Sequence, residues 1–495
     1  MISAISWVPK GVSKYVPEVA ELPSKEEIED IVKGDLFDRS GESEDEEEMD
    51  EDTEKGDEVS QAHAAANALN KDQDGQSSVV VQDISDGLRE LDMDHYDEED
   101  EGIEIFGKAV DLYYPSNDMD PYLKKDKEDD DDEAIEDMTI QPTDAVILCA
   151  RNEDELNLLE VCIFEEADGD SNMYIHHDII LPAFPLSMAW LDCRPKSGEK
   201  GNFVAIGSMD PAIEVWDLDL IDEVQPLLVL GGVSTKKREK GKGKGKGKKF
   251  KKGSHRDSVL GLAWNKEVRN VIASASADNT VKIWDVVQEK CAVTLEHHTD
   301  KASYYLCAIY MLQVQTVAWS RHSPELLLSG SFDKSVALMD MKSSNESGRW
   351  SVDADVESIA WDPHNEHAFV VSLENGMVQC FDKRLASSNS TSASKTIFTL
   401  HAHEKAVSSV SFCPVAPNIK LWDISNNQPT CVASQNPKAG KIFSISFSQD
   451  NPFLLAIGGL KGKLQVWDTL SEQGIVNRFG MYNNRKLDPN PKSGP

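Results

Sequence analysis

The sequence predicts an all-β chain folded as a β-propeller of seven blades, interrupted near its N-terminus by a long acidic insertion. Three observations predict it. The stretch from Val259 to Val286, VLGLAWNKEVRNVIASASADNTVKIWDV, holds three β-period runs joined by two turns, the pattern of an antiparallel meander. Degraded copies of that stretch recur on both sides of it, and a unit repeated at this length signals a repeat fold. The charge is uneven: residues 1–140 carry 45 Asp and Glu against 12 Lys and Arg, a net −33 of the chain's −38. The remaining 355 residues carry only −5, as a folded, nearly neutral body would.

In chain order, residues 2–8 (ISAISWV) alternate and end in Trp7, like the first strand of a repeat unit. The run SKEEIEDIVKGDLF reads as a short amphipathic helix, with Ser24 as N-cap and Glu27 as its capping-box partner. Residues 38–137 are too poor in apolar side chains to offset chain entropy, so disorder is expected. Two islands, 79–96 and 104–123, hold apolar residues that could dock on a folded surface or fold on a partner. Regular pattern resumes at Thr139 with DAVILCARN, LNLLEVCIFEE and MYIHHDIILPAF. These three strand-like runs lack a first strand, and residues 2–8 would supply it. The expected organisation is therefore a strand in 1–12, an acidic insertion over 13–138, a propeller over 139–480 with a Lys/Gly loop at 234–254, and a disordered tail over 481–495.

The repeats follow as pairs of aromatic landmarks. Trp190 leads to Trp216, Trp264 to Trp284, and Trp319 to Met339 in a position where Trp is usual. Trp361 leads to Phe381, Phe412 to Trp422, and Phe447 to Trp467. The gaps are 26, 20, 20, 20, 10 and 20 residues. These motifs resemble the WD40 family, in which a Trp-Asp pair closes the third strand of each four-stranded blade. Six such repeats plus the split first unit give seven, and the closed ring protects its strand edges. The repeat-closing residues are Trp216, Trp422 and Trp467, with Trp284 in the best-preserved unit.

The resemblance implies a buried hydrogen-bonded set of His255, Ser274, Asp278 and Trp284. The fourth unit keeps Ser329 and Asp333, with His298 as a further member; the second keeps Asp210 and Trp216, and the sixth His403 and Trp422. This set is structural: the Asp belongs to a turn and the hydroxyl to a buried strand, unlike a Ser-His-Asp triad. Two spacing faults stand out. Twelve residues, 302–313, are extra in the fourth unit, and the sixth unit is about ten short, with Pro414 and Pro417 in the gap. They fit displaced exon boundaries or family divergence.

The remaining signals are charged. Lys236 to Lys252 holds eleven basic residues and one acidic one, interleaved with Gly, and reads as a flexible loop. Lys236, Lys237 and Arg238, or Lys248, Lys249, Lys251 and Lys252, suit a nuclear import signal. The same residues suit salt-sensitive, non-specific contact with RNA or DNA phosphates, or neutralisation of the acidic arm. The acidic arm suits basic partners such as histone tails and ribosomal proteins. Ser40, Ser43 and Ser85 precede acidic residues and suit an acid-directed kinase, against an unmodified solvated tail. Phe381 to Arg384 (FDKR) resembles the end of WD40 substrate receptors of cullin-4 ubiquitin ligases, which makes Arg384 an adaptor contact in that alternative.

The eight cysteines are scattered without a C-x-x-C pair, which suits buried thiols in a reducing compartment. No basic-then-apolar leader and no apolar run near the ~18 residues of a membrane span is present, so a soluble intracellular protein without membrane contact is expected. No phosphate-binding loop, nucleophile elbow or metal-spaced cluster is visible, and neither catalysis nor a cofactor is expected. The pairs His176-His177 and His297-His298 would fall on opposite faces of an extended strand, a poor chelate.

ISAISWV with SKEEIED, the acidic insertion, the Lys-rich loop before HRDSVLGLAWN, and ADNTVKIWDV together resemble the periodic tryptophan protein one family. That resemblance implies a nuclear and nucleolar protein in ribosome biogenesis, through ribosomal RNA processing or ribosomal RNA gene transcription, and in chromatin and histone binding. It implies a phosphoprotein scaffold, monomeric within larger assemblies that the propeller engages.

Overall fold

The computed structural model describes residues 1–20, 138–154, 156–166, 171–234, 249–298, 313–343, 345–385, 395–403, 406–409, 419–424 and 429–479. The helix expected from Ser24, the two apolar islands, Ser40, Ser43, Ser85, the 302–312 part of the insertion and the C-terminal tail lie outside these residues. The described residues belong to one compact unit.

Five sheets have four strands. The first combines β1 (Ile2–Val8) with β3 (Ala145–Glu153), β4 (Leu156–Glu166) and β5 (Ser171–Leu181), while the two-residue β2 (Glu18–Val19) lies between in sequence. The second holds β6 (Pro185–Cys193), β7 (Lys200–Ser208), β8 (Ala212–Asp217) and β10 (Leu228–Gly231); β9 (Leu220–Ile221) pairs parallel with β2. The third is β11 (Val259–Trp264), β12 (Val271–Ser276), β13 (Val281–Asp285) and β14 (Lys290–Leu295). The fourth is β15 (Val314–Trp319), β16 (Leu326–Ser331), β17 (Ser335–Asp340) and β18 (Asn345–Ser351). The fifth is β19 (Val356–Trp361), β20 (Ala368–Leu373), β21 (Met377–Asp382) and β22 (Thr396–His401). A two-stranded pair follows, β23 (Ile419–Asp423) with β24 (Thr430–Gln435), then a three-stranded sheet of β25 (Ile442–Phe447), β26 (Leu454–Gly459) and β27 (Gln465–Asp468). The chain ends in a short helix, α1 (Gln473–Phe479).

The fold is thus an all-β propeller. Among the described residues six blades have three or four strands, where the sequence predicts seven. The unit that falls short is the one in which Trp422 follows Phe412 by only ten positions. A strand of ordinary length and its two turns do not fit in that gap.

The blades share a local irregularity. In six sheets the inner strand is bulged just after its first residue, as between Val259 and Gly261 or Val356 and Ser358. A second bulge lies in the fourth strand opposite the landmark residue of the third, where Ala292, Ser347 and Ile397 are the extra residues beside Ile283/Trp284, Leu338/Met339 and Cys380/Phe381. It recurs at Leu421/Trp422, so β23 and β24 carry the third-strand and fourth-strand register of the short unit. A bulge bends its strand and increases the local twist.

The core lies between blades. Val8, Leu148 and Leu159 of the first sheet pack with Val204, Ile206 and Trp216 of the second. Ala273 and Ile283 of the third pack with Val317 and Leu327 of the fourth. The last blade meets the first through Ile2, Ile5, Trp7, Leu454 and Ala456. At that junction Ile5 N–H donates to Ser444 Oγ at 3.1 Å, and Lys10 N–H to Asp450 at 2.9 Å. A Cβ on Gly458 would stand 2.4 Å from Ile2 Cγ2 and 2.8 Å from Ile5 Cδ1, so only glycine allows this approach. Gly458→Val is expected to destabilise the ring by about 2 kcal/mol through overpacking. Urea titration of the variant checks this, and an unchanged midpoint would refute closure at Gly458.

Candidate functional site

The third blade assembles its polar set from four elements. His255 lies before β11, Ser274 on β12, Asp278 in the next turn, where Asn279 takes φ 65°, and Trp284 on β13. His255 and Ser274 are both fully buried. A carboxylate only accepts, so His255 Nδ1–H donates to Asp278, 3.1 Å from Oδ2. His255 Nε2 then accepts from the Ser274 hydroxyl at 2.7 Å, and Ser274 Oγ accepts the Trp284 indole N–H at 2.8 Å. Asp278 also accepts from Thr280 Oγ1–H at 2.7 Å and Arg256 N–H at 2.9 Å. Burial alone would raise Asp278, but the donors from His255, Thr280 and Arg256 hold it well below the usual carboxylate range. Burial lowers His255 despite Asp278, which keeps the imidazole neutral. The hydroxyl is sealed inside the blade and no substrate could reach it.

The fourth blade repeats this arrangement with one exchange. His298 bonds Asp333 at 2.9 Å and Ser329 at 2.8 Å. Met339 has no N–H to offer, and His297 Nε2 takes the indole's place at 2.8 Å from Ser329 Oγ. The spacing of the sequence did not reveal His297 in that role; the signal was the His-His doublet ahead of a unit lacking its Trp.

That doublet corrects an expectation. His297 and His298 lie in the connection after β14, with ring centroids 4.5 Å apart, so no strand pleat separates them. His176 is bulged out of register in β5, opposite Val161 and Cys162, and its Nδ1 stands 2.8 Å from His177 Nδ1. Adjacent residues share a side here because neither pair sits in regular strand. No cluster of three or more metal-ligating side chains occurs among the described residues.

The other singled-out residues are spread round the ring. Trp216 is buried and donates to Glu214 Oε2 at 3.2 Å. Trp422 sits on β23 opposite Cys431. Trp467 is buried on β27, and its indole N–H has no partner among the described residues. Arg384 is 63% exposed and held by its neighbour Asp382 at 2.6 Å. Lys249, Lys251 and Lys252 are exposed, whereas Lys236, Lys237, Arg238 and Lys248 lie outside the described residues. The base of the Lys-rich loop is a short ladder: Ser234 N–H donates to Lys249 O at 2.7 Å and Lys251 N–H to Gly232 O at 2.9 Å. It leads directly into His255.

The inner-strand aromatics do a separate job. Trp7 donates its indole N–H to Ser446 O at 2.8 Å, Trp319 to Ala263 O at 3.1 Å, and Trp361 to Ala318 O at 3.1 Å. Each acceptor is the residue just before the aromatic of the preceding blade. Trp190 and Trp264 meet edge to face with centroids 5.4 Å apart. These contacts tie neighbouring blades together around one mouth of the channel. The arrangement is a rigid ring with loops on two faces, suited to presenting side chains to a macromolecule.

A family model described as WD domain, G-beta repeat matches residues 248–285 and 429–468. The chain is 32% identical to a WD repeat-containing protein of Schizosaccharomyces pombe, over 82% of this chain and 78% of that protein. It is 30% identical to periodic tryptophan protein 1 of Saccharomyces cerevisiae, over 97% of this chain and 90% of that protein. It is 28% identical to a periodic tryptophan protein 1 homolog of Drosophila melanogaster, over 97% and 96% of the two chains.

Proposed function

The chain belongs to the periodic tryptophan protein 1 family of WD-repeat proteins, and from that premise we propose that it is a non-enzymatic scaffold of the nucleus and nucleolus. It serves ribosome biogenesis, in ribosomal RNA processing or gene transcription, and binds chromatin through histones. The observation that carries this reading is the alignment over 97% of the chain, which takes in the acidic segment as well as the ring. The ring presents side chains of several blades to a protein assembly. The acidic arm captures basic histone or ribosomal-protein tails and raises their local concentration at the ring. The Lys-rich loop supplies the import signal and adds non-specific contact with nucleic acid phosphates.

The ring itself has seven positions in this reading. Val407 N–H donates to Leu373 O of the fifth blade at 3.2 Å, and Ser408 Oγ–H donates to Ile442 O of the last at 3.1 Å. A stub of inner strand therefore bridges its two neighbours, and β23 and β24 supply the outer strands of the same reduced blade.

Proximity labelling with the full chain is expected to mark pre-ribosomal and histone proteins. Deleting 42–58 with 126–137 should reduce that labelling several-fold, and deleting 236–252 should keep the protein in the cytoplasm. Cullin components labelled in its place, and lost on Arg384→Ala, would establish the ligase alternative.

A further inference from the structure

The residues two places beyond the inner-strand aromatics are Pro9, Asp192, Lys266, Arg321, Pro363 and Gln449. Basic side chains at this rim position therefore occur side by side, in the third and fourth blades. Between them lies a cleft of about 240 Å³ lined by Trp264, Trp319, Lys266, Arg321 and the acidic residue Glu267, among others. Both indole N–H groups are already engaged, with Arg269 O at 2.8 Å and Ala263 O at 3.1 Å. The tryptophans thus offer a ligand apolar surface, and the charged donors of the lining are the two cations.

Neither cation has an acidic partner. Lys266 Nζ donates to the neutral Gln449 carboxamide at 2.7 Å, and Arg321 makes no hydrogen bond or ion pair among the described residues. Glu267 pairs with neither of them among the described residues. By contrast Asp192, the acid at the same rim position, is neutralised by Arg269 at 2.7 Å. Desolvation and the Arg321 guanidinium lower Lys266, with Asp450 acting the other way, so an anion arriving here would relieve a repulsion. The loops are fixed: Asn265 Nδ2–H donates to Pro324 O at 2.8 Å, and its Oδ1 accepts from Val268 N–H at 3.0 Å. Little ordering would accompany binding.

We propose that the cleft between Lys266 and Arg321 is a peptide-binding subsite for an anionic side chain, a carboxylate or a phosphoserine, of a partner protein. The two cations grip the anionic oxygens with charge-assisted hydrogen bonds, and the apolar stem rests on Trp264 and Trp319. The inference rests on the scaffold reading above and adds a second polarity to it. The arm takes basic segments, while this rim takes acidic ones.

The test uses the full chain and fluorescein-labelled peptides of one sequence bearing Glu, phosphoserine or Gln at a central position. Anisotropy is expected to show binding of the Glu or phosphoserine peptide, weakened by added salt, and no binding of the Gln peptide. Which anionic peptide binds more tightly identifies the source. Lys266→Gln and Arg321→Gln should each weaken binding about tenfold, with unfolding midpoints unchanged. Undiminished binding by the double variant would overturn the site and leave the scaffold reading intact. Equal binding of the Gln peptide, or none of any anionic one, would overturn the proposal outright.

Discussion

Trp284→Ala is expected to cost about 4 kcal/mol, the usual range for emptying a buried tryptophan site. Two losses combine in it. The indole packs among Val259, Ile272, Leu228 and Leu230 between the second and third blades, and its removal leaves a cavity there. It also donates to Ser274 Oγ at 2.8 Å, so the buried hydroxyl loses a partner. Trp284→Phe separates them, keeping most of the packing and removing the N–H, and is expected to cost about 1–3 kcal/mol. In the fourth blade Met339 already stands where the tryptophan would, and His297 supplies the N–H. His297→Phe should therefore reproduce the smaller loss in a different blade. Urea unfolding of the three variants checks this order. A Trp284→Phe loss equal to that of Trp284→Ala would mean that the hydrogen bond, rather than packing, dominates.

The blade pattern was legible because its signals are local. Twenty-residue spacing fixes strand, turn and strand, and the Asp278-Asn279 turn is readable from two residues. What was not legible depends on residues far apart in sequence. The role of His297 follows from what Met339 lacks, and the tryptophan-to-carbonyl ties join residues of different blades. The pairing of β2 with β9 rests on two residues in each strand, too few for periodicity to show. The strand content of the sixth unit was hidden for a similar reason: aromatic landmarks count units, but strands need length, and only two strands of that unit are described. The helix α1 was missed because its packing is tertiary, with Ile475 buried beside Trp467 and Ala433. Lys266 and Arg321 lay in plain view after Trp264 and Trp319, and only the ring makes them neighbours.

Stability is expected to stay nearly level from about pH 6.5 to about pH 4.5 and to fall steeply below, because two sets of buried groups oppose each other above that point. Burial, with the neighbouring His176, lowers His177 from 6.5 to about 4. Burial, with His298 and Arg349, lowers His297 from 6.5 to about 3. The unfolded chain takes up these protons first, so their contribution is complete above 6.5 and drains away as the pH falls towards the folded values. Burial raises Glu214 from 4.5 to about 7, with Asp210 adding to it against the bond from Trp216. It raises Glu357 likewise to about 7, helped by Glu374 and Asp355. Here the folded chain binds the proton first, so these contributions are complete below 4.5 and are lost as the pH rises towards 7. Between 6.5 and 4.5 the lowered histidines, with His255 alongside His177 and His297, and the raised glutamates, with Glu160 alongside Glu214 and Glu357, therefore pull in opposite directions. Below 4.5 the glutamates are protonated in either state and drop out, while His177 and His297 still resist. The slope from His297 then approaches about 1.4 kcal/mol per pH unit, while that from His177 fades as the pH passes about 4. Below 3.8 the lowered carboxylates Asp278 and Asp333 add to the decline. Urea midpoints measured across this range should show the plateau and the break. Glu357→Gln should remove one opposing group and tilt the plateau, so that stability declines from 6.5 downward. His177→Asn should remove up to about one proton of slope between pH 6.5 and about 4, where this histidine titrates differently in the two states. If neither variant changes its own limb of the profile, these buried groups do not set the acid response of the ring.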